Sequence, residues 1–297
     1  MKAWLKLVVS ALILVLFFTQ VPLAAFWRLL VTANLPLLLV ALLIMVLTLI
    51  LDGVSLHVFL PKGKLHWKDT LVFYGYAWCA GLILPGRSGD LVILPFLKKK
   101  GIGMGEGLAA VLLNRMLSFA LVLLVGGLGL VVYLGIAWWI ALALALAGCA
   151  AMVAILLLKF PRELIKKYVL RKRAAHFQGF SIALSSYARD QPKTIALKVL
   201  LTSGKIVLGG LVPYLIYLAL GTEISFFALL AIFNAATLLS LVPFTLSGLG
   251  LREGAVTLAL ERLGVEREAA FGGVLISTAM AYFLGVLLAN ALPAKTD

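Results

Sequence analysis

Six long apolar runs constrain the fold of this chain more than any other feature of its sequence. They cover residues 4–19, 35–60, 107–134, 138–158, 194–220 and 269–290. Each run reaches or approaches the roughly 20 apolar residues that an α-helix needs to cross a bilayer. The runs are continuous and lack the period-two alternation of a transmembrane β-strand. The sequence therefore predicts an all-α integral membrane protein with about six transmembrane helices.

The composition agrees with a single membrane domain over residues 1–297. Hydrophobic residues make up 63% of the sequence and charged residues 13%, against about half and about a quarter in soluble domains. The segments between the apolar runs are too short for a separate soluble domain. Cys79 and Cys149 both lie in apolar stretches, which indicates buried thiols rather than a disulfide or a metal pair.

The 26 Lys and Arg residues predict the orientation of the chain, because short cytoplasmic loops hold an excess of positive charge. With both termini in the cytoplasm, 18 of these residues lie in cytoplasmic segments and four in outer segments. We therefore expect a multi-pass protein of the cytoplasmic (inner) membrane. The net charge of +14 then indicates contact with anionic lipid rather than with nucleic acid. Nine of the basic residues lie in a predicted cytoplasmic loop, residues 159–193.

Two apolar segments are interrupted by helix-breaking residues. Residues 70–100 contain PGRSGD at 85–90, which cannot continue a helix. Lysines precede and follow this segment, so both of its ends are expected in the cytoplasm, as in a re-entrant hairpin. Residues 226–264 contain a similar break, SGLGLREG at 247–254. The alternative is that both segments cross the membrane completely, which gives eight crossings.

The two predicted hairpins indicate an inverted-topology repeat. The first half spans residues 35–158 and the second spans 194–290, and the basic loop 159–193 joins them. Backbone freed at a break must be buried in protein or face a water-filled cavity. Broken helices at matching positions of two inverted halves point to a substrate site near the middle of the membrane.

Three motifs resemble the signatures of a known family. PGRSGD at 85–90, EGLAAVLLNR at 106–115 and SGLGLREG at 247–254 are similar to those of the lysylphosphatidylglycerol synthase transmembrane (flippase-like) family. The usual family forms are close to PGRxGE and PGGLGxREG, so Asp90 replaces a Glu and residues 244–247 replace a more Gly-rich lead. The resemblance covers most of the chain. It implies a membrane-embedded module that moves or handles a polar lipid. Some members are fused to aminoacyl transferases and many stand alone; we expect a stand-alone module without lysyl transfer.

Charged side chains inside apolar stretches are costly and usually mark function. We predict a substrate-binding site formed by residues of the two breaks and two helices: Arg87, Asp90, Arg115, Lys205, Arg252 and Glu253. In one interpretation the four cations meet a lipid phosphate, helped by the helix N-termini that follow the breaks. In the other, Arg115 and Lys205 pair with the carboxylates of the breaks as a structural lock.

Several other polar residues carry weaker predictions. Asp52 lies near the cytoplasmic end of its span, where interfacial solvation and a proton-relay role are equally compatible with the sequence. Lys198 is expected to snorkel to the inner interface. Asn114, Asn234 and Thr237 are expected to form hydrogen bonds between helices.

Three functions fit these residues. The first is a lipid transporter whose partner is an anionic phospholipid or a polyprenyl or glycolipid phosphate. This function is compatible with a monomer or an oligomer. The second is a membrane enzyme that acts on a lipid-linked substrate, with Asp90 or Glu253 as general base. The third is an accessory subunit whose basic loop recruits a partner. No nucleophile stands beside a base and the three histidines are scattered, so we expect no enzyme activity, no metal and no cofactor.

Overall fold

The computed structural model describes residues 27–28, 31–61, 63–134, 192–239 and 250–292, and every regular element in these ranges is a helix. In chain order the α-helices are α1 (Leu35–His57), α2 (Trp67–Ile83), α3 (Ile93–Lys99), α4 (Met104–Leu134), α5 (Pro192–Ala219), α6 (Phe226–Leu239), α7 (Leu251–Arg262) and α8 (Arg267–Ala291). A 3-10 helix, Pro85–Val92, joins α2 to α3. The prediction of an all-α protein is confirmed for these residues.

Four helices among the described residues are long and apolar enough to cross a membrane. They are Leu35–His57, Met104–Tyr133, Lys193–Ala219 and Arg267–Ala291. The predicted runs 4–19 and 138–158, and most of the loop 159–193, lie outside the described residues. The total of six spans therefore stays a prediction.

Helix α1 shows why these elements form in a bilayer rather than in water. The Asn34 side chain accepts a hydrogen bond from the Leu37 backbone N–H at 3.3 Å and begins the helix. Leu39, Leu43 and Leu47, spaced four residues apart, are exposed along one face. A stripe of exposed leucines at helical spacing is a surface for lipid, because lipid tails are as apolar as leucine.

Helices α1 and α5 form an antiparallel pair. At one end the Asn34 backbone N–H donates to the Ala219 carbonyl at 2.9 Å. Toward the other end Asp52 meets Lys205. This register brings the polar residues in the second half of α1 opposite those in the first half of α5.

Glycines permit a second antiparallel pair, α4 and α6, to pack closely. A Cβ atom at Gly126 would lie 2.7 Å from the Ala235 backbone nitrogen, and one at Gly129 would overlap Ala231. Small residues are typical of such contacts in membranes because they let two backbones approach. Helices α2 and α8 form a third antiparallel pair, in which the Cys79 Sγ donates to the Gly285 carbonyl at 3.5 Å.

The first break forms a helical hairpin. Beyond Ile83 the chain reverses, and Gly89 lies so close to α2 that a Cβ atom there would overlap the Gly81 backbone. Further along the returning arm, Phe96 stacks on Phe73 with ring centroids 5.1 Å apart. At the base, Lys100 Nζ lies 4.0 Å from an Asp69 carboxylate oxygen. Both ends of the segment predicted at 70–100 therefore lie together.

The second break is described only in part, because residues 240–249 lie outside the described residues. The chain resumes at Gly250, whose φ of +82° is a left-handed conformation that favours glycine. Helix α7 begins at the next residue. Its residues Val256 and Leu260 share a buried apolar cluster with Leu229 of α6, so α6 and α7 pack together on the two sides of the break.

Candidate functional site

Two adjoining cavities lie among these helices, and both breaks contribute to their walls. The smaller, of about 160 Å³, lies between α2, α8 and the two breaks; the larger, of about 250 Å³, lies between α1, α4, α5 and α6. Asp52, Arg115 and Arg252 line both cavities. Further polar residues line only one of them, among these Asp90, Glu253, Thr278 and Tyr282 in the smaller cavity and Ser118, Lys205, Asn234 and Thr237 in the larger.

The structure thus brings together five of the six residues predicted from the sequence. They come from separate parts of the chain: Asp90, Arg115, Lys205, Arg252 and Glu253. The backbone of the sixth, Arg87, lies in the 3-10 helix of the first break. Its side chain lies outside the described part of the structure.

Arg115 forms an ion pair with the carboxylate of the first break. Its Nε donates to an Asp90 carboxylate oxygen, and both side chains are partly buried. The guanidinium also lies 5.8 Å from the Phe119 ring centroid, within the range of a cation–π contact. This pair ties the first hairpin to α4 and is one of the contacts that the structural-lock interpretation predicted.

Lys205 does not pair with a carboxylate of either break; its partner is Asp52. The Nζ donates to Asp52 Oδ1 at 2.7 Å, and both side chains are about one-fifth exposed. The antiparallel register of α1 and α5 is the physical reason, since it places the two residues opposite each other. Asp52 is therefore a wall of both cavities and an ion-pair partner, a role that the sequence left open.

The carboxylate of the second break is engaged within its own half of the protein. Glu253 Oε2 accepts the Gly250 backbone N–H at 2.8 Å, and Oε1 accepts the Thr278 hydroxyl at 3.1 Å. The first contact caps the N-terminus of α7, where backbone N–H groups lack helical partners. Glu253 is buried, and these two contacts satisfy its carboxylate without an arginine.

Arg252 is therefore left without an acidic partner among the described residues. Its Nε is buried and has no hydrogen-bond acceptor in that part of the chain. The guanidinium lies 5.8 Å from the Phe233 ring centroid and lines both cavities. A buried N–H that lacks an acceptor is costly, so this donor is suited to an anionic ligand.

Lys198 contradicts the prediction that it snorkels to the membrane interface. The side chain is fully buried, and its Nζ donates to the hydroxyls of Ser55 and Ser118. It lies on the face of α5 that packs against α1 and α4, and its long side chain ends inside the protein. Its spacing of seven residues from Lys205, two helical turns on one face, was the signal that sequence reasoning missed.

The polar residues beside the charges divide into two groups. Asn114 accepts a hydrogen bond from Ser55 across the α1–α4 contact at 3.4 Å, as predicted. Asn234 and Thr237 donate to carbonyls of their own helix, at 2.6 and 2.8 Å. Both also line the larger cavity, so α6 offers polar groups there.

The balance of charge around the cavities depends on whether Lys198 is ionised. The described side chains comprise the cations Arg115, Lys198, Lys205 and Arg252 and the carboxylates Asp52, Asp90 and Glu253. One positive charge is in excess when all of them are ionised. Among the described residues, no three His, Cys, Asp or Glu side chains come together in a way that could hold a metal ion.

Comparison with models of protein families gives a match over nearly the whole sequence. The sequence matches the family described as the lysylphosphatidylglycerol synthase TM region over residues 3–289. The match includes both breaks and every charged residue of the cavities. No curated protein matches the sequence.

Proposed function

The chain belongs to the family of the lysylphosphatidylglycerol synthase TM region, and from this premise we propose that it is a lipid transporter of the flippase type. It binds the phosphate-bearing head group of an anionic lipid in the two cavities, while the acyl or prenyl tails stay in the bilayer. Multi-pass insertion follows from the family and from the apolar helices.

The observation that carries this proposal is the buried Nε of Arg252, which has no hydrogen-bond acceptor among the described residues. An ion-pair lock accounts for Arg115 with Asp90 and for Lys205 with Asp52, but it gives no role to Arg252. A phosphate oxygen in the cavity supplies the missing acceptor, and charge-assisted hydrogen bonds from arginine to phosphate are among the strongest in proteins. The two ion pairs, Arg115–Asp90 and Lys205–Asp52, then form the walls of the receptor.

The arrangement of the two halves supports transport. Each half contributes a long helix, a broken segment and a second long helix, and α1–α5, α4–α6 and α2–α8 are each antiparallel. These pairings fit an inverted repeat in which the breaks enter the membrane from opposite sides as re-entrant hairpins. In the proposed orientation both termini are in the cytoplasm, in the cytoplasmic membrane.

The carboxylates support transport rather than catalysis. A general base needs an oxygen free to take a proton from the substrate. One oxygen of Asp90 is held in an ion pair by Arg115, and both oxygens of Glu253 accept hydrogen bonds, from Gly250 and Thr278. We therefore propose that the protein moves its lipid without changing a covalent bond.

Transport by Arg252→Gln tests the proposal. Purified protein is reconstituted into vesicles that contain a fluorescent phosphatidylglycerol or phosphatidylcholine, and movement between leaflets is followed with a membrane-impermeant quencher. We expect the wild type to move phosphatidylglycerol, the anionic lipid, faster than phosphatidylcholine. Arg252→Gln should slow that movement about tenfold or more, as the loss of a charge-assisted hydrogen bond implies.

Arg262→Gln is the matched control, because Arg262 lies in the last turn of the same helix and is exposed. It should transport the lipid at the wild-type rate. A folded Arg252→Gln protein that moves phosphatidylglycerol as fast as the wild type would overturn the proposal.

A further inference from the structure

Lys198 has surroundings unlike those of the other cations near the cavities. It is fully buried, and its Nζ donates to Ser55 Oγ and to Ser118 Oγ, the latter at 3.1 Å. Among the described residues, no carboxylate oxygen lies within 4.0 Å of this nitrogen. The amine is therefore held by neutral groups alone.

The hydroxyls that hold Lys198 are oriented by a third residue. Ser55 Oγ donates to Asn114 Oδ1 at 3.4 Å, and Ser118 Oγ donates to the Asn114 carbonyl at 2.9 Å. Both hydroxyl hydrogens are thus directed at Asn114, and both oxygens face Lys198 as acceptors. One turn further along α5, the buried hydroxyl of Thr202 has no partner among the described residues. A polar enclosure of this kind accommodates an amine with or without its extra proton.

Ser118 connects this enclosure to the larger cavity. Its side chain lines that cavity and accepts the hydrogen bond from Lys198. The Ser118 hydroxyl therefore lies between the larger cavity and the amine. Lys198 itself does not line either cavity, so it senses the charge of a bound ligand without touching the ligand.

The charged groups nearest to Lys198 are neutralised by one another. Asp52 lies one turn before Ser55 on α1 and is paired with Lys205 on α5. Arg115 lies one turn before Ser118 on α4 and is paired with Asp90. Three further titratable groups of the packed helices have partners of their own: His57 contacts Thr70, Glu106 pairs with Lys64, and Arg267 pairs with Glu261. Three others lie at other places in the fold: Glu268 in the first turn of α8, Tyr133 in the last turn of α4, and Tyr282 at the smaller cavity.

We propose that Lys198 is a proton-binding site that couples the entry of an anionic head group to the uptake of one proton. The amine is neutral when the cavities are empty, takes a proton as the phosphate enters and returns it when the phosphate leaves. This inference rests on the proposed function and adds a coupling ion to it. No covalent bond of the lipid changes. One N–H bond forms at Nζ, and a buffer acid in the solution gives up the proton and is left as its conjugate base.

Charge balance is the physical reason for the coupling. With Lys198 neutral, the described cations Arg115, Lys205 and Arg252 equal the three carboxylates Asp52, Asp90 and Glu253 in number. An ammonium buried among hydroxyls is costly without a counter-ion. A phosphodiester brings one negative charge into the cavity, and protonation of Lys198 restores neutrality by Coulomb attraction over a short distance of low dielectric.

Calorimetry on the full chain in detergent tests the inference. Binding of dihexanoyl phosphatidylglycerol, a soluble probe, is measured in buffers that differ in ionisation enthalpy. The slope of the observed binding enthalpy against the ionisation enthalpy of the buffer gives the number of protons taken up per bound phospholipid. We expect about one proton per phospholipid for the wild type and close to none for Lys198→Met, since the residue that binds the proton is then absent. Lys193→Met changes an exposed lysine on the same helix and should keep the wild-type slope.

The outcomes separate the inference from the proposed function. A wild type that binds the probe without proton uptake overturns the inference and leaves the transporter proposal standing, as does Lys198→Met with a wild-type slope. A wild type that does not bind the probe overturns both. If Lys198→Met is not monodisperse in detergent, Lys198→Arg replaces it: its guanidinium stays protonated, so its slope should also be close to zero, and a wild-type slope overturns the inference.

Discussion

The two breaks of this protein have similar sequences and opposite electrostatics. In the first, Asp90 reaches away from its own segment and pairs with Arg115 on α4. In the second, Glu253 turns back onto the start of its own helix and accepts the Gly250 N–H. The acid of the first break therefore neutralises a distant arginine, whereas the acid of the second leaves the adjacent Arg252 without an acidic partner among the described residues.

Under the proposed function, this difference gives the first break a structural role and the second break a ligand-binding role. A paired arginine and carboxylate hold a hairpin in position, but their charges already neutralise each other. An arginine that keeps a buried, unpartnered N–H is the group that gains most from an incoming anion. In the proposed transporter, the first break is then a fixed wall of the cavities and the second break carries the group that binds the anion.

The largest expected effect is that of Asp90→Asn. Removing the carboxylate leaves Arg115 charged and partly buried without its partner, which should cost about 3 kcal/mol of the free energy of unfolding. The measurement is thermal unfolding of the purified protein in detergent. The double variant Asp90→Asn with Arg115→Gln should recover more than half of the loss, because no uncompensated charge remains.

Asp69→Asn is the control, since Asp69 pairs with Lys100 at 4.0 Å on the exposed base of the same hairpin and surface pairs contribute little. If the double variant is no more stable than Asp90→Asn alone, the pair does not hold the first hairpin to α4, and the contrast between the breaks is lost.

An intermediate effect is expected from Gly89→Ala. The added methyl group overlaps the Gly81 backbone of α2, so the returning arm of the hairpin must move away. Overpacking of this kind typically costs about 2 kcal/mol. The unfolding midpoint should fall, and the Asp90–Arg115 pair should weaken with it because Asp90 is the next residue.

Gly81→Ala is a matched control on the opposite side of the same contact. A Cβ atom at Gly81 lies 4.0 Å from its nearest neighbour, Gly89 Cα, which is ordinary van der Waals contact. Its midpoint should equal or exceed that of the wild type, since alanine favours the helix. If Gly81→Ala and Gly89→Ala lower the unfolding midpoint equally, the close approach of Gly89 to α2 is not the cause of the loss.

The sequence was sufficient to predict the hairpin and the gathering of charges. Pro85 and the glycines around it cannot continue a helix, and Arg115 and Lys205 in apolar runs have no favourable place facing lipid. Both inferences depend on local chemistry and on the energy of charge in a bilayer. Neither requires knowledge of which helices are neighbours.

The pairing of the charges could not be predicted in the same way. Lys205 meets Asp52, and Lys198 is buried against Ser55, because α1 and α5 are antiparallel in one particular register. Helical periodicity places a residue on a face but does not determine which helix packs there. The role of Glu253 depends on the same kind of information, since its contact to Thr278 joins α7 to α8.

The smallest expected effect is that of Glu253→Gln. A glutamine oxygen still accepts one of the two hydrogen bonds from Gly250 and Thr278, and glutamine is itself accepted at this position of a helix N-terminus. The free energy of unfolding should therefore fall by about 1 kcal/mol, and transport of anionic lipid should persist because Arg252 does not depend on Glu253. Glu261→Gln, at the other end of α7, should change neither quantity. A loss in Glu253→Gln as large as that in Asp90→Asn would mean that Glu253 neutralises Arg252, and that the two breaks are electrostatically alike.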